Sequence, residues 1–230
     1  MIQFADNNTS QQVWDMWKAV FGDSDNYMEV YFRYKYSNEN TLLYMEDDKA
    51  VSSLQMLSYK LTFCGSEIPV LYLSGVCTLP GYRGSGYSSK LILKSFEVAV
   101  QRNTPLVLLV PQEQWLISFY KKYGFAQTFD AGKYVLPSLN RIIKNNFGNL
   151  QSAYKEFDNI FRNKDVTVQK TFDDFKAIAE EAALFDFPPK KNLRGMARLI
   201  DAESLLKLFA IEYPNKKFSL TVSDEIIKKQ

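Results

Sequence analysis

The chain has 230 residues, 46% of them hydrophobic, 15% aromatic and 23% charged; it can build a core for one large domain, or a domain and a smaller partner, and is too apolar for intrinsic disorder. It contains no histidine, which closes the Ser-His-Asp triad, imidazole general bases and histidine-ligated zinc within the chain. Lysine and arginine number 28 against 26 aspartates and glutamates, a formal charge of +2, so no global field draws it to nucleic acid and none is expected as a partner.

Residues 2–5 form the first strand candidate. Thr9 and Ser10 are positioned to cap a helix whose apolar face is Val13, Trp14, Trp17, Val20 and Phe21, and Gly22 stops it. A second helix starts near Ser24 or Asp25 and carries Tyr27, Met28, Tyr31, Phe32, Tyr34 and Tyr36, a density of aromatics suited to core and cleft wall. From 42 to 80 the period becomes that of strands, with turns at Asp47-Asp48-Lys49 and Gly65-Ser66, an antiparallel meander. Residues 88–102 are an amphipathic helix, and 105–110 a short apolar run bounded by prolines, the pattern of a strand buried on both faces. A helix over 114–123 ends at Gly124, and a strand or hairpin covers 125–136. Residues 138–187 are mainly helical, 196–200 a strand, 202–211 a helix capped by Asp201, and 218–222 another strand.

Cys64 and Cys77 are too few for a disulfide scaffold or a four-thiolate site. They read as two buried, reduced thiols in strand-like sequence, and no metal is expected. The first residues lack the basic and apolar stretches of a signal peptide, and no apolar run approaches the length of a membrane span. A cytoplasmic protein without a membrane partner is the expectation.

The segment that carries chemistry runs from Leu73 through Val76-Cys77-Thr78-Leu79-Pro80 and Gly81-Tyr82-Arg83-Gly84-Ser85-Gly86 to Tyr87-Ser88-Ser89. A strand ends at a proline, a glycine turn follows and a helix begins. Small residues let the backbone approach an anion, and the unpaired N–H groups at the helix start point toward it, so pyrophosphate is the natural occupant. Gly81 and Gly86 fit the outer glycines of a P-loop and Ser88 its hydroxyl residue, but Tyr87 stands where that loop needs lysine. A dinucleotide fingerprint needs a third glycine where Ser89 stands. A glycine-rich turn that holds no ligand is the remaining alternative.

These residues resemble the acetyl-coenzyme A motif of the GCN5-related N-acetyltransferases (GNAT), Q/R-x-x-G-x-G/A after a splayed strand. Gly84 and Gly86 take the two glycine positions, Gly81 stands at the Gln/Arg position and Arg83 supplies a cation two residues later. Downstream, Phe119-Tyr120-Lys121-Lys122-Tyr123-Gly124-Phe125 resembles the family's F-Y-x-k-x-G-F signature. The resemblance covers about residues 41–130. It implies an α/β (α+β) GNAT fold, a mixed, mostly antiparallel sheet with flanking helices. It implies acetyl-CoA as cosubstrate, with Val76, Cys77 and Thr78 along its pantetheine arm and the N–H groups of Arg83, Gly84, Ser85, Gly86, Tyr87 and Ser88 on its pyrophosphate. It implies that Tyr120 protonates the departing thiolate. The same Tyr120, with Leu116 and Tyr123, also suits a core position. Glu113 and Glu67 are the carboxylates weighed as general base, and the base is left unassigned.

Residues Ala197 to Leu206, with Phe218 to Asp224, resemble the start of the sterol-carrier-like domain of acetyltransferases of the enhanced-intracellular-survival type, where an R-x-x-D element precedes a helix. Here that element is Arg198 to Asp201. The expected division is a GNAT domain at 1–136, a helical connecting region at 137–192 and a partial sterol-carrier-like segment at 193–230. The expected activity is transfer of acetyl to the primary amine of a small molecule or peptide, in a cleft partly lined by aromatics of the second helix. A homo-oligomer is compatible with it. The alternative is a GNAT-fold module without catalysis that binds CoA, a ligand or a protein.

Overall fold

The computed structural model describes residues 1–129, 138–162, 164, 166–188 and 195–212. Short charged or glycine turns join the strands of the meander. β1 (Ile2–Phe4) pairs with β2 (Thr41–Glu46), β2 with β3 (Lys49–Phe63) and β3 with β4 (Ser66–Thr78), all antiparallel. Thereafter strands and helices alternate: α3 (Tyr87–Gln101), β5 (Leu106–Leu109), α4 (Gln114–Lys121) and β6 (Ala126–Phe129). Before the meander come α1 (Ser10–Phe21) and α2 (Asp25–Tyr34). After β6 come α5 (Leu139–Asn145), α6 (Leu150–Phe161), β7 (Thr167–Val168), α7 (Phe172–Leu184), β8 (Gly195–Leu199) and α8 (Ala202–Glu212). Among the described residues the sheet has eight strands in the order β1-β2-β3-β4-β5-β8-β6, with β7 on the far end of β3. Among them only the β4–β5 pairing is parallel, so the mixed, mostly antiparallel sheet with flanking helices is as the sequence predicts.

One strand sits far from its place in the chain. β8 lies between β5 and β6, antiparallel to both, and satisfies a backbone edge on each side. The strand of the segment set apart by the second resemblance therefore lies in the first sheet in space. α8 follows, capped as expected: the Asp201 carboxylate accepts from Ser204 N at 3.0 Å and from Ser204 Oγ at 2.5 Å. The strand expected at 218–222, the hairpin residues 130–136 and the rest of the second resemblance beyond 212 lie outside the described residues. α7 docks the helical region on α2 through an ion pair between Lys35 and Asp174 and through Tyr34, whose hydroxyl donates to Glu180 at 2.6 Å. Among the described residues, no helix is long and apolar enough to cross a membrane.

Two local expectations change. Thr9 does not cap α1 with its side chain. The chain tightens one turn earlier: Asp6 Oδ1 accepts from Asn8 N and Thr9 N, and Thr9 Oγ1 accepts from Asp6 N at 2.8 Å. Cys64 is exposed, because it occupies the β3–β4 turn in a left-handed conformation, φ +50°, and the strand ends one residue before it.

The sheet carries apolar clusters on both faces. Leu54, Met56, Leu71, Leu73 and Val107 pack under α3 and α4, and Leu43, Met45 and Cys77 pack under α1 and α2. A β-bulge interrupts the alternation of β4: Ser53 faces Cys77 but Gln55 faces Ser74, so Gly75 and Val76 together oppose Leu54. The parity of the strand flips there. Leu71 and Leu73 pack toward α3, and so does Val76, three residues on rather than two or four.

Gly75 makes the bulge possible in two ways. Its φ is +58°, and the Trp17 indole lies where its Cβ would be, with Cε2 at 2.7 Å and Nε1 at 2.8 Å from that position. Gly75→Ala should lower stability by about 2–4 kcal/mol, read as a fall in urea midpoint with an unchanged m-value. An alanine variant of wild-type midpoint would show that Trp17 does not rest on the bulge.

Candidate functional site

β4 and β5 pair at Val70–Leu106, Leu71–Val107 and Tyr72–Leu108 and then part. β4 continues past the bulge to Thr78 while β5 ends at Leu109. A cleft of about 470 Å³ opens beside the parted strands. Its walls are Val76, Cys77 and Thr78 of β4, the turn from Tyr82 to Gly84, the start of α3 at Gly86, Tyr87 and Ser88, and Trp115, Leu116, Phe119 and Tyr120 of α4. Of the residues singled out from sequence, Tyr120, Val76, Cys77, Thr78, Arg83, Gly84, Gly86, Tyr87 and Ser88 line the cleft, and Ser85 does not.

The turn is built to meet an anion. Gly84 and Gly86 hold φ of +85° and +75°, a left-handed conformation that other residues adopt only with strain. Gly86 is the N-terminal cap of α3 and brings no capping side chain. Among the described residues, no protein acceptor meets the backbone N–H groups of residues 84–89. These donors have the dipole of a 15-residue helix behind them, and the two glycines leave room beside them, since a Cβ at either would touch nothing within 4 Å. A pyrophosphate fits that donor set. Lys90 is turned aside over the Tyr44 ring, 5.0 Å from its centroid, so Arg83, exposed on the turn, is the cation of the cleft.

Tyr120 belongs to both the core and the cleft. It is 7% exposed, held edge-on by Phe119 and Phe125 at centroid distances of 5.2 and 5.8 Å. Its hydroxyl has no hydrogen-bond partner among the described residues. Burial, with Tyr72 close by, pushes the phenol up to about 12, so it holds its proton throughout the neutral range. Cys77 lines the same cleft. Burial pushes its thiol up to about 11, partly offset by Ser53, whose Oγ lies 3.2 Å from Sγ. It is a protonated packing group and no nucleophile.

Of the two carboxylates weighed as base, Glu113 borders the cleft at the start of α4. Glu67 stands at the other end of β4, ion-paired with Lys60 at 2.7 Å and Arg162 at 3.1 Å. The aromatics of α2 do not line this cleft. They sit a layer away, where the Tyr31 hydroxyl donates to Gln55 Oε1 at 2.9 Å and lies 3.0 Å from Ser74 Oγ, behind the bulge. The apolar wall comes instead from Val20 and Phe21 at the end of α1 and from Trp115, which is 67% exposed. Sequence reasoning missed these three. An exposed tryptophan on the polar start of a helix is the signal that was there for one of them; only the packing of α1 on β4 brings the other two in.

Comparison with known proteins agrees with this geometry. The family model described as an acetyltransferase (GNAT) domain matches residues 2–128. No curated protein matches the chain in sequence. Among solved structures, a probable N-acyltransferase from Enterococcus faecalis V583 superposes with a TM-score of 0.57 at 14% identity, over 90% of this chain and 74% of that one. A GCN5-related N-acetyltransferase from Anabaena variabilis ATCC 29413 gives 0.57 at 15% identity over the same shares. Eis1 from Mycobacterium abscessus gives 0.54 at 13% identity over 85% of this chain and 51% of its own length. At these identities the likeness is one of fold.

The two thiols should differ in reactivity. With the native protein near pH 8, iodoacetamide should add one label, at Cys64, and a second at Cys77 only after denaturation. Rapid native labelling of Cys77, read by peptide mass spectrometry, would contradict its burial.

Proposed function

Because the chain belongs to the GNAT acetyltransferase family, we propose that the cleft takes acetyl-CoA as cosubstrate and that the chain transfers its acetyl group to a primary amine. The observation that supports this most is the placement of an unpaired N–H cradle and a buried, protonated phenol on the walls of one cleft. The residues divide the work. The N–H groups at the start of α3 hold the pyrophosphate, with Arg83 beside them. β4, having left β5 at Tyr72, offers its backbone from Val76 to Thr78 to the pantetheine arm, and an N–H there meets the thioester oxygen. The bound thioester supplies the activated acetyl group.

Transfer forms a C–N bond and breaks the C–S bond, so one proton must leave the amine and one must reach the departing sulfur. Tyr120 supplies the second. A phenol at about 12 is a poor acid toward an ordinary thiolate near 8.5. The thiolate departs into the same low-dielectric cleft, however, where Cys77 stands at about 11. Burial there disfavours a thiolate as it disfavours the phenolate, so the gap in acidity between donor and leaving group narrows. With histidine absent, the amine proton passes to water or a carboxylate, and Glu113 is the one of the two considered that borders the cleft.

Calorimetric titration with acetyl-CoA followed by a thiol-release assay over a panel of amines tests the reading. Binding without turnover on any amine would leave a non-catalytic CoA-binding module. Tyr120→Phe should lower kcat by about 10²-fold with little change in cofactor affinity. The raised phenol should also leave kcat without a Tyr120-dependent alkaline limb from about pH 6 to 10; such a limb, lost in Tyr120→Phe, would overturn the raised value, and an unchanged kcat in Tyr120→Phe would remove the assignment. Gly86→Val should instead weaken cofactor binding about tenfold or more, by forcing a β-branched residue out of the left-handed region and misaiming the N–H groups.

A further inference from the structure

Arg198 is the residue of the C-terminal segment that the reaction does not yet use. β8 inserts it into the sheet between β5 and β6, half-buried, with its guanidinium carbon 4.5 Å over the Phe96 ring. Its Nη1 donates to the carbonyl of Tyr123. Its Nε is buried without a partner, and no carboxylate pairs with it among the described residues. Burial pushes its pKa down. A cation so placed is costly to hold, and an apolar side chain of the same length would fill the space at less cost.

What the cation does there is hold the end of α4. The last carbonyls of a helix have no partner within it. Tyr123 N donates back to Tyr120 O at 2.9 Å, and Phe125 N reaches the same carbonyl at 3.4 Å, so the turn after the helix is wound directly on Tyr120. Arg198 grips that turn from outside. The grip needs Gly124 between them: with φ at +77° it has no side chain, and a Cβ there would collide with the guanidinium. The Tyr123 hydroxyl lies 2.5 Å from Ser89 Oγ at the start of α3, a tie to the cradle that does not involve Arg198.

We propose that Arg198 is a positioning residue for Tyr120: β8 carries its guanidinium to the end of α4, and that contact sets where the phenol stands in the cleft. The inference rests on the role assigned to Tyr120 above. It makes residues 195–199 part of the catalytic domain rather than of a separate ligand-binding unit.

The test is 19F NMR of protein labelled with 3-fluorotyrosine, with the Tyr120 signal identified by its loss in Tyr120→Phe. In Arg198→Met the Tyr120 resonance should shift and broaden, and Gly124→Ala, which displaces the guanidinium from the opposite side, should move the same resonance. In Arg198→Lys the resonance should return part of the way. Turnover should follow: kcat of Arg198→Met falls about tenfold while KM for acetyl-CoA stays within about twofold, because the Ser89 tie keeps the cradle. A Tyr120 resonance unmoved in both Arg198→Met and Gly124→Ala overturns the proposal, as does an equal loss of cofactor affinity and kcat. If the wild-type protein acetylates no amine, the proposed function falls on its own, and the resonance still decides the role of Arg198.

Discussion

β4 cannot keep β5 as its partner. The bulge at Gly75 and Val76 bends the strand just past the last shared pair, Tyr72–Leu108, and Trp17 occupies the space that any side chain at Gly75 would need. From that one departure the cleft, the stretch of Val76 to Thr78 that has no partner in β5 and the aim of the turn toward α3 all follow. The bulge also reverses which face the strand presents, so Val76 joins the cluster under α3 while Cys77 faces α1. A strand continuing in regular alternation would stay paired, and the cleft would close.

Desolvation then sets the chemistry. The walls that part at the bulge are apolar, and burial raises the phenol of Tyr120 and the thiol of Cys77 together. Both groups therefore keep their protons throughout the neutral range. Charge enters the cleft mainly through backbone N–H groups and Arg83, neither of which needs histidine. The far side of α4 is met by an arginine from 75 residues along the chain, so β8 touches the helix that lines one wall of the cleft.

Much of this was legible in the sequence because it rests on short-range rules. The glycines at 22, 84, 86 and 124 all sit at φ above +60°, where a turn or helix end demanded them. Ser24 and Asp201 cap the helices they precede. The period change at residue 42, the apolar run of β5 and the glycine turn before α3 placed the sheet and the turn without coordinates, and the resemblance to the acetyltransferase motifs singled out Tyr120. Where local rules had two outcomes the reading slipped. Cys64 ends an apolar run and looks buried, but the turn that reverses the chain places it outside.

The amino-acid sequence by itself determined a histidine-free chain with a strand, a glycine turn and a helix start fit for pyrophosphate. Those are properties of neighbours in the chain, governed by backbone sterics and hydrogen-bond period. Only the tertiary structure decided that Val20, Phe21 and Trp115 complete the wall, that β8 belongs between β5 and β6, and that Arg198 reaches the end of α4. These depend on contacts between residues far apart in sequence, where an apolar side chain or an open strand edge can be satisfied by many partners and packing selects one.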